Sequence, residues 1–258
     1  MAAREAPAPA PTCKAPPATR QVPRLPRAAA AGALLVVLLG GCAPSAVTSE
    51  GRDIGTLYGI SLWMAAGVVA LVWLLGIFAI LRYRRGSRDD EPRQVHGSTR
   101  LEAIWTAIPV LIVLGLFGGT LAVLGRTEAR ASEPAVIVEV EAFRWGWTFR
   151  IPAENVEVSG LLAPGPEVQV PVGVPLRFNL TSHDVIHSFY VPVFLFKRDV
   201  IPGHANTFDV TIDEPGTYGG QCAEYCGIGH ARMPFTIRAV SQAEYEAWVA
   251  ATRGASAP

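Results

Sequence analysis

The sequence is short of cysteine, of net charge and of any internal repeat. Only four cysteines occur in 258 residues, Cys13, Cys42, Cys222 and Cys226. They are not spread like a disulfide framework. No C-x-x-C-H run occurs, which excludes a covalently attached c-type haem. The absence of a repeat removes solenoid and propeller arrays. Lysine plus arginine equals aspartate plus glutamate at 22 each, so the chain as a whole is neutral, and no nucleic-acid partner is expected. The balance conceals an asymmetry. Residues 1–132 carry 14 basic against 8 acidic side chains, and residues 133–258 carry 8 against 14. A basic first half suits an anionic leaflet, and an acidic second half suits a basic partner.

What the chain has in excess is apolar sequence: 50% of residues are hydrophobic and the mean hydropathy is +0.29. That points to membrane segments. Residues 1–27 mix arginine and lysine with proline and alanine, and 28–41 are an uncharged run ending at Cys42. This run is too short to span a bilayer comfortably and follows a basic region, so 1–41 reads as a leader with a signal-type apolar core. Leu39-Gly40-Gly41-Cys42 resembles a bacterial lipobox, in which the cysteine is acylated and becomes the mature N-terminus. An ordinary signal peptide cut near small residues is the alternative. The stretch before Arg27 is long for a signal, which suggests a start codon further downstream.

After a mature N-terminal segment over 42–59, residues 60–81 and 104–124 are free of charge. Each is long enough, at about 1.5 Å per residue, to cross a hydrocarbon core of about 30 Å. Two transmembrane helices are therefore expected, over 60–81 and 101–124. The loop between them, 82–100, carries six arginines and three acids, which places it in the cytoplasm and both ends of the chain outside.

Residues 133–240 read as strands. Val136–Ala142, Leu176–Leu180 and Phe208–Ile212 alternate, and Pro/Gly turns separate them. An antiparallel sandwich or barrel is expected. Ser241-Gln-Ala-Glu244 is a capping box that opens a last short helix in the tail 241–258.

The chemistry concentrates in QCAEYCGIGHARM, residues 221–233. On the outer side of the membrane a Cys222–Cys226 disulfide is one reading, but it leaves His230 and Met233 without a role. A structural zinc site is a second, and methionine is a poor zinc ligand. Copper accepts thiolate, imidazole and thioether together, so C-x3-C-x3-H-x2-M favours copper. One cysteine serves a mononuclear copper site; two suggest two ions bridged by both sulfurs. A second histidine is then needed, and His187 in His183-Asp-Val-Ile-His187-Ser-Phe is the best candidate.

This cluster, the HSF-x-x-P segment 35 residues before it and the two preceding apolar spans resemble subunit 2 of the bacterial haem-copper cytochrome c oxidases, over roughly residues 50–250. The resemblance implies a cupredoxin-like Greek-key sandwich. It implies a dinuclear CuA centre with Cys222 and Cys226 as bridging thiolates, His187 and His230 as terminal ligands, Met233 as a weak thioether ligand and the Glu224 backbone carbonyl as the sixth. It also implies a magnesium ion at the Glu224 carboxylate, shared with subunit 1. Further partners would be subunit 3, membrane lipid and a separate cytochrome c donor. Trp145 matches the family's position where electrons arrive from cytochrome c, although Gly146 stands where the family often has tyrosine. Glu102, in Glu-Ala-Ile-Trp-Thr, matches the family's glutamate at the mouth of a proton path. Its plainer reading is a capping box with Thr99 as N-cap. Lys197-Arg-Asp-Val-Ile-Pro-Gly203 resembles a segment near subunit 1, with His204 in place of the arginine that often follows.

His183 and His204 read as surface or interface residues, and His96 as solvated. Glu154, Glu157, Asp209, Asp213 and Glu214 are candidate acidic groups for docking a basic donor. Three rivals share parts of the pattern. A quinol oxidase subunit 2 lacks the copper ligands. A nitrous oxide reductase domain lacks the membrane spans. A membrane-tethered copper-binding or disulfide-stapled module needs neither Glu102 nor Trp145.

Overall fold

In the computed structural model, residues 45–84, 94 and 97–255 are described. Cys13, Cys42, His96 and most of the arginine-rich loop lie outside them. Helix α1 runs Ser49–Tyr83 and α2 runs Thr99–Thr127. Over 60–81 and 104–124 they are apolar on every side, as expected of helices that meet lipid or other helices all round. At 35 residues α1 is about 52 Å long, well beyond the apolar run at 60–81. Its first turns, residues 49–59, therefore stand clear of the apolar zone. They are helical because Thr48 caps them: its extended backbone turns the chain, and its hydroxyl accepts the Gly51 N–H at 3.0 Å. α2 does not form the capping box read from the sequence. Ser98 is the N-cap and makes no side-chain cap bond, so Thr99 is already inside the helix. The Glu102 N–H is satisfied by the Ser98 backbone carbonyl at 2.9 Å. At the other end of the hairpin, Arg126 of α2 pairs with Asp53 of α1 at 2.6 Å.

Ten strands follow. β1 (Val136–Phe143), β2 (Gly146–Ile151), β3 (Val156–Leu161), β5 (Pro175–Ser182) and β8 (Asn206–Thr211) form one sheet in the order β3-β2-β1-β5-β8. β4 (Glu167–Pro171), β6 (His187–Val191), β7 (Phe196–Val200), β9 (Gly216–Cys222) and β10 (Pro234–Val240) form the other, in the order β4-β10-β9-β6-β7. The sheets are mixed and not purely antiparallel as expected: β1 pairs with β5, and β4 with β10, in parallel. The result is a two-layer sandwich.

The strands alternate as their residues do. Val136, Val138, Val140 and Ala142 face inward, while Ile137 and Glu139 face out. Between the sheets lies an aromatic core of Trp147, Phe149, Phe178, Phe189, Phe208 and Phe235, all buried. Phe189 stacks on Phe235 with ring centroids 4.6 Å apart, and Phe178 on Phe208 at 5.1 Å. Burying each such side chain contributes about 2–3 kcal/mol. Helix α3 (Gln242–Ala255) closes one end, with Tyr245 and Val249 inside. Its capping box forms as read: the Glu244 N–H donates to Ser241 Oγ at 3.4 Å and the Ser241 N–H to the Glu244 carboxylate at 3.0 Å.

Candidate metal centre

The cysteine segment is the connection between β9 and β10. Strand pairing of Gln221 with Pro234 brings its two ends together, and Cys222 N–H donates to the Met233 carbonyl at 3.3 Å. β6 lies beside β9, with Phe189 opposite Cys222. That register carries His187, 35 residues earlier, to the same end of the sheet. Ala223 N–H donates to the Ser188 carbonyl at 3.0 Å and ties the loop to the histidine strand.

Cys222 Sγ and Cys226 Sγ are 3.8 Å apart and form no disulfide. On one side, His187 Nδ1 is 3.8 Å from Cys222 Sγ. On the other, His230 Nδ1 is 3.7 Å from Cys226 Sγ. Met233 Sδ is 3.9 Å from Cys226 Sγ, and the Glu224 carbonyl accepts from Cys222 Sγ at 3.3 Å. Metal–donor bonds of about 2.0–2.3 Å would place the sulfur and nitrogen donors at angles of about 110–125°, and the Glu224 carbonyl at about 95–100° from Cys222. The spacing suits soft metal ligation. The donor atoms of His187, Cys222 and Cys226 all lie within 4.8 Å of one another, and His230 falls outside that mutual set. The two imidazoles do not converge on one point, which disfavours a single four-coordinate ion.

The surroundings are dry. His187 and Ser188 are fully buried, and Cys222, Cys226 and Met233 nearly so. Burial opposes ionisation of Cys222, but hydrogen bonds from His187 and from the Glu224 and Ser188 backbone prevail and hold its thiol at about 6. Burial and the neighbouring Cys222 sulfur push Cys226 up to about 12.

The sequence reading missed Asp184. Its Oδ1 lies 3.0 Å from His187 Nε2, which leaves Nδ1 free to face the sulfurs. A carboxylate holding the far nitrogen of an imidazole is the usual support of a ligating histidine. Burial raises the Asp184 carboxyl, but bonds from His187, the Val185 and Arg144 N–H groups and the Arg144 guanidinium outweigh it and hold it well below the usual carboxylate range. Its position three residues before His187 is the only sequence signal that it had.

Trp145 packs on the ligand loop, and its indole N–H donates to the Cys226 carbonyl at 3.2 Å. Two glycines of the C-G-I-G-H run make this contact. A Cβ at Gly229 would stand 2.4 Å from the Trp145 ring, and Gly227 has φ +115° with the ring 3.3 Å from its Cβ direction. Trp147 is fully buried and donates to the Met233 carbonyl at 3.2 Å. Gly146 is closely packed: a Cβ there would lie 2.4 Å from the Gly160 carbonyl and 3.0 Å from Phe143. Tyr225 and Ile228 project from the loop, 77% and 95% exposed.

Other residues singled out in the sequence separate from this centre. Glu224 turns its carboxylate to Lys197, whose ammonium also contacts Asp199, at 3.1 and 2.9 Å. His183 is exposed and lies 3.1 Å from Glu141, while His204 is exposed beside Ile201. Glu102 is exposed on the first turn of α2. Asp209 does not belong among the acidic docking groups: it is 7% exposed and bound by Arg177 through both oxygens at 2.8 Å. Of the others, Glu154, Glu157 and Asp213 each pair with an arginine.

Two family profiles match the chain: the transmembrane domain of cytochrome c oxidase subunit II over residues 41–118 and its periplasmic domain over residues 138–240. A probable cytochrome c oxidase subunit 2 of Streptomyces avermitilis is 35% identical over 243 residues, covering 79% of this chain and 76% of that one. A quinol oxidase subunit 2 of Bacillus cereus is 30% identical over 226 residues, covering 83% and 76%. Among solved structures, the periplasmic domain of subunit II of cytochrome oxidase from Bradyrhizobium japonicum is 33% identical, with a TM-score of 0.47, and matches 50% of this chain and 100% of that domain.

Proposed function

We propose, from the premise that this chain belongs to the cytochrome c oxidase subunit II family, that it is the electron-accepting subunit of a haem-copper oxidase, taking electrons from cytochrome c and passing them to haem in subunit 1. The observation that carries the reading is the sulfur pair, 3.8 Å apart, with a separate imidazole Nδ1 beside each sulfur. Two copper ions fit this set. Cys222 and Cys226 would bridge them, His187 and His230 would be terminal ligands, and Met233 and the Glu224 carbonyl would complete the six. When bound, the copper pair supplies reversible one-electron storage.

The chain's own residues do the rest. Asp184 fixes the ring of His187 and the nitrogen that it presents. Trp147, Phe189 and Phe235 exclude water beneath the centre. Trp145 links the partly exposed surface to Cys226 through its indole N–H and is the residue where electrons arrive. The ligand loop is clamped by β6, β9 and β10, so its shape is set before a metal arrives. Oxygen reduction belongs to subunit 1, and subunit 3 completes the membrane core.

Three further assignments follow the same reading. Glu102 stands at the cytoplasmic end of α2 as the mouth of a proton path. The Glu224 carboxylate takes a magnesium ion together with subunit 1; the ion has to compete with Lys197, which already holds it. Cys42 is the lipidated N-terminus in a bacterial cell membrane, with loop 82–100 inside and the β domain outside. The rival with a specific observation behind it is a quinol oxidase subunit, since one such protein is 30% identical. That class dispenses with the copper ligands, and this chain keeps all six, which favours cytochrome c as donor.

The test is made on the full chain in detergent, reconstituted with copper. Two coppers per chain, a purple colour and a paramagnetic resonance spectrum split by two equivalent copper nuclei are expected. A colourless protein holding one zinc, or a Cys222–Cys226 disulfide that refuses copper, would sink the proposal. Co-purification of a haem-bearing subunit 1 tests the partnership separately.

A further inference from the structure

Residues 128–135 (EARASEPA) join α2 to β1. Their composition is that of a flexible polar linker. The structure nevertheless holds them at four points. The Glu128 N–H closes α2 onto the Leu124 carbonyl at 2.9 Å, and its carboxylate takes the Arg198 guanidinium. The Arg130 guanidinium donates to the Thr207 carbonyl. Ala131 is held through both backbone groups: its N–H donates to Asp209 Oδ2 at 2.7 Å and its carbonyl accepts from Arg177 Nη2 at 2.7 Å. The Ala135 N–H donates to the Pro175 carbonyl at 2.9 Å.

The Ala131 contacts differ in kind from the rest. Arg177 and Asp209 face each other across β5 and β8 in register. They pair through two bonds of 2.8 Å, with 22% and 7% of their side chains exposed. Among the described residues, the pairs that join the helical hairpin to the domain or to itself, such as Arg52–Asp213 and Arg126–Asp53, are far more exposed, and such pairs contribute little. A two-pronged, largely desolvated pair has spare donor and acceptor capacity in fixed directions, and here both go to one linker residue. Arg198 adds a second route: it lies opposite Phe189 in the β6–β7 register, two residues along from His187, and its carbonyl accepts from Ser188 Oγ at 3.2 Å.

We propose that Arg177 and Asp209 form a latch on the α2–β1 linker, making them positioning residues that hold the metal loop at a fixed height and orientation over the membrane partner. The latch stands on this chain's geometry alone. Its consequence for electron transfer rests on the function proposed above. A linker free to swing would let the domain visit many orientations, few of them productive; a latched one is pre-organised, as bound geometry must be for fast reaction.

The first measurement is hydrogen exchange of the metal-free full chain, read on the peptide covering residues 128–135. Slow exchange of the Ala131 amide is expected. In D209N and R177Q it should speed up about tenfold or more, since a charge-assisted bond is lost, while exchange in β6, β9 and β10 stays as before. Free exchange of the wild-type linker, or a linker unmoved in both variants, overturns the latch. If D209N fails to fold, R177Q and the wild type decide between these outcomes. The second measurement uses the copper-loaded oxidase complex. R177Q should slow transfer from this subunit to subunit 1, leave the copper spectrum and reduction by cytochrome c unchanged, and be partly rescued by R177K. Equal transfer rates in R177Q and wild type would overturn the positioning role even with the latch intact. Failure to bind copper would instead remove the proposed function and leave the exchange result standing.

Discussion

Replacing Asp184 by asparagine removes one charge and keeps the shape. Asp184 meets His187 Nε2 at 3.0 Å and accepts at 2.6 Å from Val185 N–H and 2.8 Å from Arg144 N–H. An asparagine oxygen can keep one or two of these bonds, but the charge that steadies the imidazole is lost, and the amide's own N–H₂ can turn toward His187. A hydrogen bond to a charged group contributes about 1.5–3 kcal/mol. Deleting the outer partner of a ligating histidine typically costs about 10–100-fold in metal affinity, or about 1.4–2.8 kcal/mol. The two figures agree, so a 10–100-fold loss of copper affinity is expected for D184N, measured by competition with a chelator on the full chain. The Asp184 charge itself does not titrate near neutrality. The Asp184 carboxyl is held well below the usual range, so it is ionised throughout that window. With a depressed folded-state value, its contribution to stability is present above the unfolded value of about 3.9 and is lost as pH falls through the folded one. Copper affinity within twofold of wild type would refute the claim that Asp184 sets the ring of His187.

Three other outcomes are expected. Trp145→Phe, which deletes the N–H bonded to Cys226, should slow reduction by cytochrome c severalfold in stopped flow with the copper spectrum intact; an unchanged rate removes Trp145 from that role. Gly229→Ala, whose methyl would meet the Trp145 ring at 2.4 Å, should displace the indole and raise its fluorescence exposure while circular dichroism of the sandwich stays the same; an unmoved emission maximum contradicts the close packing. Phe189→Ala opens a cavity between Phe178, Phe208 and Phe235 and should cost about 3–5 kcal/mol, seen as a lower denaturant midpoint, and a loss under 1 kcal/mol would mean that this core collapses to fill the gap.

Some features were legible because their signals are local. Charge-free runs reveal the two apolar helices whatever they pack against. Alternation of Val136, Val138 and Val140 with Ile137 and Glu139 marks a strand facing one core. Ser241 and Glu244, three apart, satisfy each other's backbone without help from elsewhere. The candidate donors within the loop stood out in the same way, since C-x3-C-x3-H-x2-M is a short local pattern and methionine is a poor zinc ligand.

Other features depend on what stands opposite, and spacing along the chain cannot report that. α1 starts at Ser49 because Thr48 is pinned by a β-bridge to Ile212 and by its own cap bond; residues 49–59 alone are too mixed to mark that start. β1 runs parallel to β5 because of a crossover between sheets, while alternation is the same in either direction. Asp209 and Asp213 look alike in sequence, yet one is buried against Arg177 and the other is partly open beside Arg52. The apolar spans, the strand pattern and the soft-donor character of the cysteine loop are properties carried by neighbours along the chain, so spacing and composition report them. Only the tertiary structure decided that His187 meets Cys222, that Asp184 stands behind it, that two glycines admit Trp145 and that a polar linker is latched. Each of these is a contact across strands or layers, formed when burial brings distant residues into register.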